Sequence, residues 1–278
     1  MASGPRLYVG RPAVAPQRFG LLQVATVVDD PDAHWRNGVE WEPLDCDESL
    51  ATTEACPTPP PAKTLTPRGQ RQSEADAFTV YDFINCSAPS FTDATLRERL
   101  AASLSLGEGR AVERALWTGS PQGTPSLTVG ATVTTLGGGA ALTPVAFLSA
   151  LEGAIGECYG GIGVVHVPRA SIPALDALGL LRQDGERLRT LLGTLVVAGG
   201  GYPGTDPTGA APAAGEAWGY VTGGVTIRRS GVEFVGDAPR EYVDKANNDA
   251  ALIAERTYVL TLDDCCHFGA VIDLAGCC

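Results

Sequence analysis

Thr92-Asp93-Ala94-Thr95-Leu96-Arg97-Glu98-Arg99-Leu100-Ala101-Ala102-Ser103-Leu104-Ser105-Leu106-Gly107-Glu108-Gly109-Arg110-Ala111-Val112-Glu113-Arg114-Ala115-Leu116-Trp117 is the stretch around which this 278-residue chain is organised. Thr92 and Thr95 each offer a helix start, and Thr95-Leu96-Arg97-Glu98 has the form of a capping box, in which threonine and glutamate side chains satisfy free backbone donors. Leu96, Leu100 and Leu104 recur on one face, and Ala111, Ala115 and Leu116 resume the apolar stripe beyond Gly107-Glu108-Gly109. The spacing predicts an amphipathic helix that, if unbroken, is about 39 Å long at about 1.5 Å per residue. Each interior glycine costs about 1 kcal/mol, which predicts a kink or break near Gly107 and Gly109. A helix of this length can act as a spine for the domain behind it.

Upstream, residues 1–18 carry Pro5, Pro12 and Pro16 without helical or strand period and read as an extended arm that gains order only by lying on its own body or on a neighbouring subunit. Phe19 to Val28 is β-favouring and ends in the turn chemistry of Asp29-Asp30-Pro31-Asp32. An Asn37-Gly38 turn signal separates Trp35 from Trp41, and Val39-Glu40-Trp41-Glu42 alternates with period two. Residues 43–77 are acidic, then rich in proline (Pro57, Pro59, Pro60, Pro61), then basic and polar, so they cannot be core. Phe78 to Cys86 returns as an aromatic, β-branched strand. Residues 19–86 are therefore expected to form an extended β-hairpin loop projecting from the body.

Downstream, Pro144 to Tyr159 reads as a helix with Val145, Leu148, Leu151 and Ile155 on one side, and Ile172 to Leu181 as another. Strands are expected at Ile162–Val167, Leu191–Ala198, Trp218–Ile227, Gly231–Val235, Ala251–Leu262 and Phe268–Leu274, with a helical turn as the alternative start near Ala251. The class is α+β. With 34 glycines and 20 prolines, the fold should be rich in loops.

The formal net charge is −12, from 20 Lys plus Arg against 32 Asp plus Glu, so the chain as a whole repels phosphate and sequence-specific DNA binding is excluded as a primary role. Lys63 and Lys245 are the only lysines; the arginine bias fits planar, fixed pairing and equally a GC-rich coding sequence. No apolar run approaches the roughly 20 residues of a membrane span, and Met1 to Gly10 lacks a signal pattern, so synthesis in the cytoplasm is expected. Eight cysteines in no secreted-scaffold spacing are expected to be reduced thiols.

Little catalytic chemistry is visible. Cys265-Cys266-His267 with Cys277-Cys278 is a cluster of metal-ligating residue types, but adjacent cysteines on a strand point to opposite faces, so no metal is expected there. Gly199-Gly200-Gly201 follows a strand but lacks the Lys-Ser/Thr of a phosphate loop. His34, His166 and His267 adjoin no nucleophile motif, and Asp29, Asp30 and Asp32 read as a solvated turn. No catalytic residue, cofactor or metal is predicted. Trp35 and Trp41, with Arg36, are the candidate inter-subunit contacts, because large aromatics on a loop without its own core usually pack on a partner.

The order of parts resembles the major capsid protein of tailed double-stranded DNA phages, the Hong Kong 97-type fold. The resemblance rests on the arm (1–18), the extended loop (19–86) and a spine helix ending Val112-Glu113-Arg114-Ala115-Leu116-Trp117-Thr118-Gly119. It continues in Val164-Val165-His166-Val167-Pro168-Arg169, Leu192-Gly193-Thr194-Leu195-Val196-Val197-Ala198-Gly199 and Ala254-Glu255-Arg256-Thr257-Tyr258-Val259. It implies that residues 87–278 hold the spine helix with peripheral and axial domains. It also implies a homo-oligomer of hexamers and pentamers, forming an icosahedral virion shell around DNA in the host bacterial cytoplasm, without membrane or sequence-specific DNA contact. Separate scaffold, portal and cement proteins are the further partners it suggests. Some relatives cross-link a loop lysine to a neighbour's asparagine; Lys63 and Asn247-Asn248 have no matching local motif, so a noncovalent shell is expected. The alternatives are an encapsulin-like nanocompartment shell, a hydrolase or ligand-binding domain with a disordered leader, and a tail or neck protein.

Overall fold

The capping-box stretch folds as one helix, Asp93–Thr118, 26 residues without a break at the glycines. Glu108, between those glycines, falls on the same four-residue stripe as Leu100, Leu104, Val112 and Leu116, and all five are buried. Tertiary contacts on both sides of the glycines outweigh the roughly 2 kcal/mol that the pair costs in propensity, so the expected kink is absent. The computed structural model describes residues 15–43, 46, 49, 72–86, 93–123, 125–235, 243–244 and 249–275. Most of the expected arm, the Pro-rich stretch, Lys63 and Asn247-Asn248 lie outside the described residues.

The helix packs on a six-stranded sheet centred on one long strand, Asp249–Leu262. Phe78–Cys86 runs antiparallel along one edge of that strand, from Tyr258↔Phe78 to Ala250↔Cys86. Val225–Arg229, Glu233–Val235 and Val243–Asp244 pair along the other edge. Thr26–Asp29 adds in parallel to Val225–Arg229. The two β segments that bound the expected hairpin loop therefore do not pair with each other; both join the body sheet. Between them Val39–Trp41 and Ser73–Ala75 make a small antiparallel pair of their own.

A second, eight-stranded sheet runs in the order Thr134–Thr135, Phe268–Asp273, Glu216–Thr222, Val164–Pro168, Leu195–Gly199, Arg187–Thr190, Leu181–Asp184, with Ala141–Leu142 also on Phe268–Asp273. Its central strands alternate cleanly. Val165, Val167, Val196 and Ala198 face Phe147, Leu148, Leu151 and Ile155 of the helix Pro144–Cys158. Val164, Val197 and Tyr220 face Val112, Leu116 and Trp117 of the long helix, in a core shared with Ile227, Tyr258 and Leu260 of the first sheet. One helix thus joins two sheets.

Several expectations shift. Phe19–Val28 divides into a helical turn, Leu21–Val24, and the strand Thr26–Asp29. Val145 is exposed and Phe147 takes its place on the buried side of its helix. Only Ile172–Asp176 of the second expected helix is α-helical; Leu181 begins a strand instead. Trp218–Ile227 is two strands in different sheets, parted at Gly223-Gly224. Reduced thiols are not what the structure shows at four cysteines: Cys46 is bonded to Cys265 and Cys158 to Cys266.

Candidate assembly surface

Three polar anchors fix the long helix. Glu113 is buried, and its carboxylate accepts the backbone N–H of Leu21 at 3.0 Å and of Gly201 at 2.8 Å. Burial raises its pKa above the ordinary carboxylate value, and the backbone N–H groups partly oppose that rise. The Gly199-Gly200-Gly201 run is thereby a helix contact: a Cβ on Gly201 would sit 2.1 Å from the Arg110 carbonyl oxygen. Glu108 accepts three hydrogen bonds, two from Arg256 Nη1 at 3.0 and 2.8 Å and one from the Tyr258 hydroxyl at 2.7 Å. At the helix end, Trp117 donates through Nε1 to Thr205 Oγ1 at 2.8 Å, with its ring against Tyr202 and Tyr220 at 4.9 and 5.0 Å between centroids.

Two of the three histidines serve the core, His166 and His267, while His34 is exposed. His166 is fully buried, with Nδ1 2.9 Å from the Tyr202 hydroxyl and Nε2 3.1 Å from Thr222 Oγ1. Desolvation lowers its pKa to about 3, and that of His267 to about 4, so both rings stay neutral at physiological pH. Among the described residues, the metal-type cluster of three or more ligating side chains is Cys46, Cys265 and Cys266.

The three candidate contact residues have different fates. Trp35 is only 6% exposed, packed with Ala75 and Val259, and donates through Nε1 to the Asp30 carbonyl at 3.3 Å. It folds back on the chain's own body. Arg36 pairs with Glu233 and lies 6.0 Å over the Trp35 ring. Trp41 is half-buried at the rim of a cleft of about 320 Å³ that also touches Ser73, Glu74, Ser126, Asp264 and His267.

Among the described residues, the large exposed aromatics lie on Phe78–Cys86. Phe78 is buried, and Val80 and Ile84 pack toward the long helix, whereas Tyr81 and Phe83 point the other way, 64% and 61% exposed. Phe83 is paired across the strands with Ile253 and Tyr81 with Glu255. The outward face of the long strand pair is therefore an apolar strip with a carboxylate beside it. Sequence reading missed these two residues because both faces of Phe78–Cys86 are apolar, and alternation alone does not say which face is inside.

No family model matches the chain, and no curated protein matches it. Solved structures do. A chain from the capsid of an empty GTA particle computed with C5 symmetry superposes with a TM-score of 0.59 at 15% identity, over 97% of this chain and 95% of that one. The chain has the tailed-phage major capsid fold. A chain of Microbacterium phage Oxtober96 superposes at 0.57 with 12% identity, over 98% of this chain and 95% of that one, and one of Gordonia phage Cozz at 0.54 with 13% identity, over 98% and 91%. The capsid fold thus spans nearly the whole chain, with the long helix as its spine. Among the described residues no helix is long and apolar enough to cross a membrane.

Proposed function

We propose that this protein is the major capsid subunit of a tailed phage, a structural protein that assembles as pentamers and hexamers into an icosahedral shell around double-stranded DNA. The observation that carries this reading is the match of 97–98% of the chain to capsid-fold chains. The net charge of −12 supports it, because a container that gripped phosphate everywhere would resist packing and release of DNA. In this reading residues 1–18 and 19–86 reach over neighbours, residues 87–278 supply spine, peripheral and axial parts, and Trp41, Arg36, Tyr81 and Phe83 are contact residues. Assembly takes place in the host cytoplasm, beside separate scaffold, portal and cement proteins, and the product is the virion shell.

The strip around Tyr81 and Phe83 gives a direct test. Tyr81→Ser with Phe83→Ser should leave the melting temperature of the unassembled chain almost unchanged, because exposed substitutions cost within about 0.5 kcal/mol. The same pair should abolish rapidly sedimenting particles. Normal particles from that variant would remove the strip from the assembly surface. Deleting residues 1–18 is expected to give a folded subunit defective in assembly.

A further inference from the structure

Cys46, Cys158, Cys265 and Cys266 meet at one point of the fold although they come from three separate parts of the chain. Cys46 follows the small strand Val39–Trp41, Cys158 ends the helix Pro144–Cys158, and the adjacent pair Cys265-Cys266 occupies the turn between Asp249–Leu262 and Phe268–Asp273. Because the pair lies in a turn and not on a strand, its two side chains reach different partners without facing opposite sides of a sheet. The sulfurs of Cys46, Cys265 and Cys266 lie within 4.8 Å of one another, and Cys158 is bonded to Cys266. Cys266 is 1% exposed while the other three are half-buried, so the cluster keeps a solvent-facing side.

We propose that this cluster is an oxidation site, open as four thiols while the chain folds and assembles and closed to two cross-links, Cys46–Cys265 and Cys158–Cys266, after the particle leaves the cell. The timing rests on the capsid reading, since a reducing cytoplasm holds thiols open and the surroundings of a released virion do not. The oxidant is dioxygen: four thiols give up four protons and four electrons, two S–S bonds form, and one O₂ becomes two waters. With the three sulfurs in mutual reach, a first disulfide formed with the wrong partner is corrected by attack of the remaining thiolate, which releases the displaced sulfur as a thiolate and consumes no oxidant. Closure ties the segment that follows Val39–Trp41 and the end of a body helix to one turn, across sequence separations of 219 and 108 residues. Loops of that length are where a cross-link restricts the unfolded chain most. The closed site therefore hardens the subunit after its shape is set.

The test uses the full chain. Cells producing it are treated with a membrane-permeant maleimide before lysis, and a second sample is lysed, held in air-equilibrated buffer, then alkylated in denaturant and mapped by non-reducing peptide mass spectrometry. All four cysteines should be alkylated in the first sample. In the second, four thiols per chain should be lost, and the peptides bearing Cys46 and Cys158 should be joined to the one bearing Cys265-Cys266. Cys46→Ser should remove one link and keep the Cys158–Cys266 bond. A phosphine reductant should lower the melting temperature of the closed chain by roughly 10 °C. Cross-links already complete before lysis, four thiols still open after air, or one zinc ion per chain held by those thiols would each overturn the proposal. Sedimentation of the same samples reads the capsid claim separately: cross-links in a chain that never forms particles contradict that claim, and particles with open thiols contradict the oxidation site alone.

Discussion

Glu108 is a carboxylate placed on the apolar stripe of a helix, flanked by two glycines, and its three short hydrogen bonds from Arg256 and Tyr258 explain why burial is tolerated there. Glu108→Ala leaves the Arg256 guanidinium, whose side chain is 17% exposed, without its counter-charge. The expected cost is about 3–5 kcal/mol in urea denaturation, and Glu108→Gln should fall between that variant and the native chain. His166 gives a pH dependence with a definite sign. Its folded pKa of about 3 and that of His267, about 4, lie below the ordinary 6.5, so between those values the unfolded chain binds protons that the folded chain refuses. Stability should therefore fall as pH drops from about 6.5 toward 4, by about 2 kcal/mol per histidine between pH 6.5 and 5. His166→Gln should flatten that profile in thermal melts taken across the range; an unchanged slope would remove His166 as a contributor. The sequence displayed Glu108 on the four-residue stripe, but the adjacent glycines disguised it as part of a break. For His166, only its complete burial in the folded chain reveals why it is neutral.

At the scale of elements, the long helix was legible because its stripe and capping signals agree, and the strands at Phe78–Cys86 and Ala251–Leu262 were legible because β-branched and aromatic residues such as Val80, Tyr81, Phe83, Ile84, Ile253, Tyr258 and Val259 are dense there. The helix expected over Ile172–Leu181 was not, since it stops at Asp176 and Gly179 adopts φ +63°, where the chain turns into a strand. The triple glycine is explained by close approach and not by a phosphate: Gly201 sits against the backbone of Arg110, which a methyl group would have to displace. Gly201→Ala should cost about 1–3 kcal/mol, read as a lower denaturation midpoint. Trp35→Ala should destabilise the unassembled chain by about 3–5 kcal/mol, because the ring belongs to the subunit's own core. A loss of assembly with no loss of stability would return Trp35 to a surface role.

For the whole molecule, the order of arm, loop, spine and α+β body was enough to suggest the capsid fold before any geometry was known, because each part has a distinct composition. The assembly surface was less legible. Inter-subunit contacts are selected by which apolar residues remain uncovered after folding, and that depends on long-range pairing such as Phe83 with Ile253, which no local pattern reports. Trp35 drew attention as a large aromatic in a coreless stretch, yet Ala75 and Val259, distant in sequence, supply its core. Electron microscopy of the purified chain, alone and from cells in which it is produced with its companions, tests the central claim most directly. The account predicts uniform closed shells with five-fold vertices; a chain that stays a monomer or small oligomer under every condition would contradict it.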